Sequence, residues 1–225
     1  MPARQTSFLF DLDGTLVDSV YQHVLAWHEA LQHEGIELSV WRIHRRIGMS
    51  GGLFTEMLFR ETGLAIDPAR IERLRLLHAD SYNRRSADVR PLPGARDLLT
   101  YLSEFGIPWA IATSGRIETA GPVIRTLGVD ASKVPVITRD MVNHAKPDPD
   151  LFLAAADALG MPIESACVVG DSVWDMLAAR RAGGLGVGLL SGGYGEDELV
   201  RASAYRVYQD PADLLRHIDE VGGRR

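Results

Sequence analysis

Six short apolar runs, each ending at a turn residue or an acid, set the framework of this chain: SFLFD (7–11), PWAIAT (108–113), VPVIT (134–138), ACVVGD (166–171), GLGVGLL (184–190) and YRVY (205–208). Between most of them lie helix-patterned stretches, over residues 94–105, 116–127, 149–159, 173–182 and 211–221. Strands that alternate with helices assemble into a parallel sheet with helices on both faces. Near-continuous Val, Ile, Leu and Ala runs are what doubly covered strands require. The pattern predicts an α/β fold built on a doubly wound parallel sheet.

The alternation fails once. Residues 18–88 read as helix only: Val20, Val24, Trp27 and Leu31 follow an i, i+4, i+7, i+11 spacing, and further helical patterns run through 53–62 and 68–82. A strand-to-helix connection normally takes about 2–6 residues, so these 71 residues are expected to form an inserted helical subdomain. The core would then comprise 1–17 and 89–225, the return marked by the turn-prone RPLPG at 90–94. SGGYGEDEL (191–199) reads as a loop ending in a short helix.

Composition removes several function classes. A net charge of -6 argues against a nucleic-acid partner, and no run reaches the ~18 apolar residues of a membrane span. The single cysteine, Cys167, cannot close an intramolecular disulfide, and a cytoplasmic location is expected. Of 24 basic residues 22 are Arg, which leaves Lys133 and Lys146 as the only lysines.

Ligands of open parallel sheets sit beyond the carboxyl ends of the strands, and four polar clusters fall there. In FDLDGTL (10–16) a strand runs into Asp11 and Asp13, a carboxylate nucleophile and a second carboxyl able to donate and accept a proton, or alternatively a plain acidic turn. Thr113, Ser114 and Gly115 could bind a phosphate oxygen at a helix start, and Ser114 could equally be a helix N-cap. Lys146, held extended before Pro147, could neutralise a phosphate or keep Asp11 ionised. A solvated surface lysine is the alternative, weakened by this chain's use of arginine wherever charge alone matters. In GDSVWD (170–175), Asp171 and Asp175 add two acids at i and i+4. Four carboxylates in one pocket repel one another unless a hard cation such as Mg²⁺ joins them. Singly, either acid could be an N-cap or a surface charge.

Together these motifs resemble the haloacid dehalogenase superfamily of phosphatases: DLDGT (11–15), Thr113, Lys146 and GDSVWD (170–175) stand in that family's order. The resemblance implies a Rossmann-like core with a helical cap and places the chain near the phosphoglycolate phosphatase and β-phosphoglucomutase branch. It implies Asp11 as nucleophile, forming an aspartyl-phosphate, and Asp13 as general acid and then base. Thr113 would bind the phosphoryl group and Lys146 would bridge it to Asp11. Mg²⁺ would be held by Asp11, the Asp13 carbonyl, Asp171 and Asp175. Dehalogenases proper lack the second acid of the first motif, and phosphonate hydrolases of this architecture use a cap lysine, which residues 18–88 lack. An isomerase of the phosphoglucomutase type keeps all four motifs and is the alternative enzyme. A non-catalytic phospho-ligand binding protein would have lost at least one of them.

The cap carries nine Arg against ten acids and is no basic clamp. Its candidate substrate contacts are His23, Arg45, Arg46, Gly48 and Met49. His23 could instead be a structural histidine, and the arginines a solvated face. His23, His28 and His33 recur every five residues, which scatters them around a helix and excludes a metal site there. Trp27 and Leu31 are expected in the core. A cap that closes over the site limits substrate size. The expected ligand is a small phosphorylated metabolite, a sugar phosphate or phosphoglycolate and not a phosphoprotein, bound by a monomer or homodimer.

Overall fold

A computed structural model describes residues 5–63, 68–130 and 132–223 of the chain. Its centre is a six-stranded, all-parallel sheet formed by β1 (Ser7–Phe10), β4 (Trp109–Ala112), β5 (Val136–Ile137), β6 (Ala166–Gly170), β7 (Leu185–Leu189) and β8 (Arg206–Tyr208), in the order β5-β4-β1-β6-β7-β8. Each predicted strand is present, within two residues of its expected ends.

The sheet is buried on both faces. Phe8 and Phe10 of β1 enter a cluster with Leu98, Leu102, Ile124 and Leu214, from α5 (Ala95–Glu104), α6 (Ile117–Thr126) and α10 (Pro211–Arg216). Leu9 points the opposite way, against Leu151, Phe152 and Ala178 of α7 (Asp150–Ala158) and α8 (Val173–Ala182). This period-two division of one strand between two apolar layers is what a doubly covered strand requires. The helix expected over 211–221 ends at Arg216, and a separate 3₁₀ turn follows at Ile218–Val221. A short α9 (Glu196–Arg201) closes the glycine-rich loop.

Strand order positions the site. After β1 the chain builds outward through β4 and β5, then returns to the other side of β1 at β6. Phe10 pairs with Ile111 on one side and Val169 on the other, so the residues just beyond all three strands meet at one edge, at the switch point where parallel sheets bind ligands.

Between β1 and β4 the chain forms the predicted cap of α1 (Val20–His33), α2 (Val40–His44), α3 (Gly51–Thr62) and α4 (Pro68–Arg85). Its apolar cluster includes Val24, Trp27, Leu31, Phe54, Leu58 and Leu74, and α4 is tied to α1 by ion pairs from Arg85 to Glu29 and from Arg70 to Glu34. The two chain crossings meet in an antiparallel pair not visible in the sequence, β2 (Val17–Asp18) with β3 (Arg90–Pro91). Among the described residues no helix is long and apolar enough to cross a membrane.

Candidate active site

Asp11 directly follows β1 and is 2 % exposed. The ammonium of Lys146, fully buried, donates to Asp11 Oδ1 and stands 2.8 Å from Asp175 Oδ1. Burial opposes the charge on Lys146, but Asp11 and Asp175 outweigh it and raise its pKa above the ordinary lysine value. The alternative of a solvated lysine is excluded by its burial.

Asp175 does two jobs. Its Oδ1 faces Lys146, while its Oδ2 accepts from Ser172 N (3.1 Å) and Ser172 Oγ (2.5 Å), part of a capping box that starts α8 at Val173. Asp171 therefore lies before the helix, at the end of β6, and is not one turn below Asp175 on a helical face. Thr15 Oγ1 donates to Asp171 Oδ1 at 2.9 Å.

Asp11, Asp171 and Asp175 each place an oxygen within 4.8 Å of the others. Burial, augmented by Asp175 and Asp13 and opposed by Lys146, pushes the Asp11 pKa up to about 7. Burial and the charges of Asp175 and Asp11 raise that of Asp171 as well. One ammonium leaves this cluster under-compensated, and an all-oxygen donor set fits a hard divalent cation. The backbone makes room for the acid: a Cβ on Gly192 would stand 1.7 Å from Asp171 Oδ2.

Asp13 is held differently. Its Oδ1 accepts from Ser19 Oγ at 2.5 Å and lies 3.2 Å from His23 Nε2. Burial raises its pKa, but His23, Ser19 and Lys146 overcome this and the net shift is downward. His23 stacks on Tyr82 with ring centroids 3.9 Å apart, and its Nδ1 lies 3.2 Å from His78 Nε2. His23 lines the cavity and is also structurally engaged, so the two readings of it combine in one side chain. His28 and His33 are not in this cluster.

At the end of β4, Thr113 Oγ1 accepts from Gly115 N at 2.9 Å, which leaves its hydroxyl proton free to donate. Ser114 is not the N-cap. Arg116 occupies that position, and Asp140 Oδ2 accepts from Ile117 N at 3.2 Å while its other oxygen pairs with Arg116. With the capping work done by Asp140, the buried Ser114 hydroxyl has no hydrogen-bond partner among the described residues, and Ser114 is part of the cavity lining.

The loop after α2 seals the cap onto the core. The Arg45 carbonyl accepts from Tyr194 OH (2.8 Å) and Trp174 Nε1 (3.2 Å), His44 Nε2 lies 2.8 Å from Gly192 O, and Ser50 N donates to Lys146 O at 3.1 Å. Gly48 takes φ +94°, and a Cβ there would stand 2.7 Å from Ser172 Oγ. Gly48, Met49 and Arg46 line a cavity of about 290 Å³ together with Asp11, Asp13 and Thr113. Arg45 does not. Its guanidinium lies over the Tyr194 ring and pairs with Glu198, so its expected substrate contact gives way to a cap-to-core tie. Trp27, read as core, is buried yet borders the cavity beside Phe54.

Sequence reasoning missed His78, Ser19, Thr15, Arg75 and Arg139. The last two line the cavity. Thr15 sits inside the quoted DLDGT motif, and five of the seven histidines fall in the cap, the one signal that pointed toward His78.

Residues 6–183 match the model of the haloacid dehalogenase-like hydrolase family. The chain is 32% identical over 182 residues to hexitol phosphatase A of Escherichia coli, covering 80% of this chain and 81% of that one. It is 31% identical to a phosphoglycolate phosphatase of Rhodospirillum rubrum, covering 92% and 88%. The crystal structure of a hydrolase from Pseudomonas syringae, 57% identical, superposes with a TM-score of 0.94 over 96% of this chain and 99% of that one. With an acid-rich switch point under a helical cap and a family match across most of its length, the chain belongs to the haloacid dehalogenase-like hydrolases.

Proposed function

We propose that this chain is a Mg²⁺-dependent phosphomonoester hydrolase that acts on a small phosphorylated metabolite through a phosphorylated Asp11. The observation that carries the reading is the pairing of Asp11 with Lys146 and of Asp13 with His23 at the base of one cavity closed by the cap. The relatives named as hexitol and phosphoglycolate phosphatases support it.

In this reading Asp13, whose resting carboxyl is held toward the ionised form by His23 and Ser19, must take up a proton as substrate binds; Asp11 Oδ then attacks phosphorus and the ester oxygen departs with that proton. Asp13, now a carboxylate, accepts a proton from the water that attacks the aspartyl-phosphate, and phosphate leaves with Asp11 restored. His23 and Ser19 fix the Asp13 carboxyl between these two transfers. The hydroxyls of Thr113 and Ser114 donate to phosphoryl oxygens, and Lys146 offsets charge on them and on Asp11. Mg²⁺, held by Asp11, Asp171 and Asp175 with the Asp13 carbonyl, would supply further neutralisation of the phosphoryl charge. The cap excludes bulk water and bulky esters. A cytoplasmic location goes with a substrate of this kind.

Phosphate release from a panel of phosphorylated metabolites tests the assignment. Release that depends on Mg²⁺ and disappears in Asp11→Asn is expected. Normal turnover by Asp11→Asn, or full activity in excess chelator, would overturn it, and interconversion of hexose phosphates without phosphate release would replace it with an isomerase.

A further inference from the structure

The glycine-rich run from Ser191 to Gly195 has no part in the chemistry proposed above, yet it is packed against both the acid cluster and the cap. Toward the acids, Ser191 Oγ donates to Gly14 O at 2.6 Å, and a Cβ on Gly192 would stand 1.7 Å from Asp171 Oδ2. A Cβ on Gly14 would come within 2.6 Å of the same oxygen. Two glycine backbones thus close on one oxygen of Asp171 while Thr15 holds the other. Lys146 pairs with Asp11 and Asp175, whereas Asp171 rests on Thr15 and on this loop. In close-packed surroundings the Asp171 carboxyl cannot move toward the loop unless the loop moves with it.

Toward the cap, the carbonyl of the buried Gly192 lies 2.8 Å from His44 Nε2. A carbonyl only accepts, so His44 is the donor. Gly193, at φ +89°, brings its backbone under the same ring, where a Cβ would stand 3.0 Å from Nε2. The ring is flanked by Tyr21 and by Tyr194, whose hydroxyl donates to Arg45 O. The same short cap segment reaches the other two members of the cluster, through Gly48 against Ser172 beside Asp175 and through Ser50 N on Lys146 O. On its other side the cap meets α6 through Arg75 and Glu118 at 4.0 Å, an exposed pair of a kind worth about 0–1 kcal/mol. The firm docking is therefore on the side of the acids.

We propose that His44 is a positioning residue of the metal site: through Gly192 it fixes the Asp171 carboxylate, so that docking of cap residues 44–50 and binding of Mg²⁺ at Asp11, Asp171 and Asp175 favour one another. This rests on the Mg²⁺ part of the reading above. Coupling between two sites is reciprocal: a docked cap raises metal affinity, and bound metal tightens the dock. The metal site is then fully assembled with the cap closed.

Thermal unfolding of the full chain against Mg²⁺ concentration, with no substrate present, gives an apparent Kd by linkage. His44→Ala is expected to raise that Kd about five- to tenfold, the lower end of couplings between sites. His44→Gln, which can still donate to the Gly192 carbonyl, is expected to bind Mg²⁺ more tightly than His44→Ala. Glu118→Gln loosens the cap on its other side without touching the loop and is expected to leave Kd within about twofold of the wild type. In the wild type itself, hydrogen exchange of a peptide spanning 44–50 is expected to slow at least about threefold with saturating Mg²⁺, a readout that needs no variant to fold. An unchanged Kd in His44→Ala, no recovery in His44→Gln, an equal rise in Glu118→Gln, or exchange over 44–50 indifferent to Mg²⁺ overturns the proposal while the Mg²⁺ site stands. No stabilisation of the wild type by Mg²⁺ removes the metal site and this proposal together.

Discussion

His23 Nε2 lies 3.2 Å from Asp13 Oδ1, and His78 Nε2 lies 3.2 Å from His23 Nδ1. Each ring nitrogen of His23 thus has a partner, Asp13 on one side and His78 on the other, and two cap helices hold the ring that orients the proposed acid and base.

Loss of that orientation is expected to slow turnover more than binding. In His23→Ala the Asp13 carboxyl keeps Ser19 alone as its local partner. General acid and base transfer contributes about 10²–10⁴-fold, so a kcat decrease of about 10–100-fold is expected, with KM changed less than about threefold. Steady-state kinetics on a slow aryl ester and a fast metabolite ester checks this. A variant altered mainly in KM would assign His23 to substrate binding.

His78 also sets a pH dependence of stability. Burial, with the neighbouring charge of His23, lowers its pKa well below 6.5. Below about pH 6.5 the unfolded chain takes up a proton that the folded chain refuses, so stability present above that pH is lost as the pH falls. His78→Phe keeps a ring against Trp27 and Tyr82 and removes the titration. Urea midpoints at pH 7 and pH 5 are expected to differ less in the variant than in the wild type. Equal pH sensitivity would place the acid lability elsewhere.

The four strand-end motifs were legible because each joins two local signals, an apolar run and the acid or hydroxyl that ends it. Three of the four cap helices, α1, α3 and α4, were legible from periodicity alone, whereas the five-residue α2 is too short to show a period. What remained hidden depends on distant partners. His23 and His78 meet across 55 residues, and Ser114 is released from capping by Asp140 on another loop. Arg45 and Arg46 are neighbours in the chain, yet Tyr194 and Glu198 draw one outward while Glu61 holds the other at the cavity. No spacing rule distinguishes them, because the turn after α2 is set by what it docks against.

Asp171 is expected to weaken the metal-free fold. Its carboxyl titrates well above the ordinary value, first through burial and then through Asp175 and Asp11. The folded chain holds that proton at pH values where the unfolded chain has lost it, so the cost of the buried site grows as the pH rises from about 4 toward neutrality. Asp171→Asn retains an acceptor for Thr15 and removes the charge. In chelator at pH 7 its stability is expected to rise by on the order of 1 kcal/mol, about 2–4 °C in Tm. The wild type is expected to gain Tm with added Mg²⁺ and the variant to gain little. A variant less stable than the wild type in chelator would contradict the charge-repulsion account.

Lys146→Arg tests whether geometry or charge alone matters at the buried ammonium. Nζ contacts Asp11 and Asp175 and lies over the Phe152 ring, with no exposed surface. A guanidinium is larger and planar, and overpacking costs about 1–3 kcal/mol. A kcat loss of about 100-fold or more is expected, with the fold retained by circular dichroism. Kinetics like those of the wild type would show that any cation suffices.

Gly48 is where the cap loop meets the core. Its φ of +94° lies in the left-handed range, and a side chain would meet Ser172 Oγ at 2.7 Å, in the capping box that holds Asp175. Gly48→Ala therefore combines backbone strain of about 1–3 kcal/mol with a clash that can be relieved by lifting the loop away from Trp174 and Lys146. Since Ser50 N donates to Lys146 O, lifting the loop loosens the lysine as well. The expected result is a kcat/KM reduced about tenfold or more for metabolite esters, a smaller loss for p-nitrophenyl phosphate, and faster proteolysis within the cap than in the wild type. Equal losses on both esters with unchanged proteolysis would mean that the substitution acts on Asp175 directly and not on cap docking.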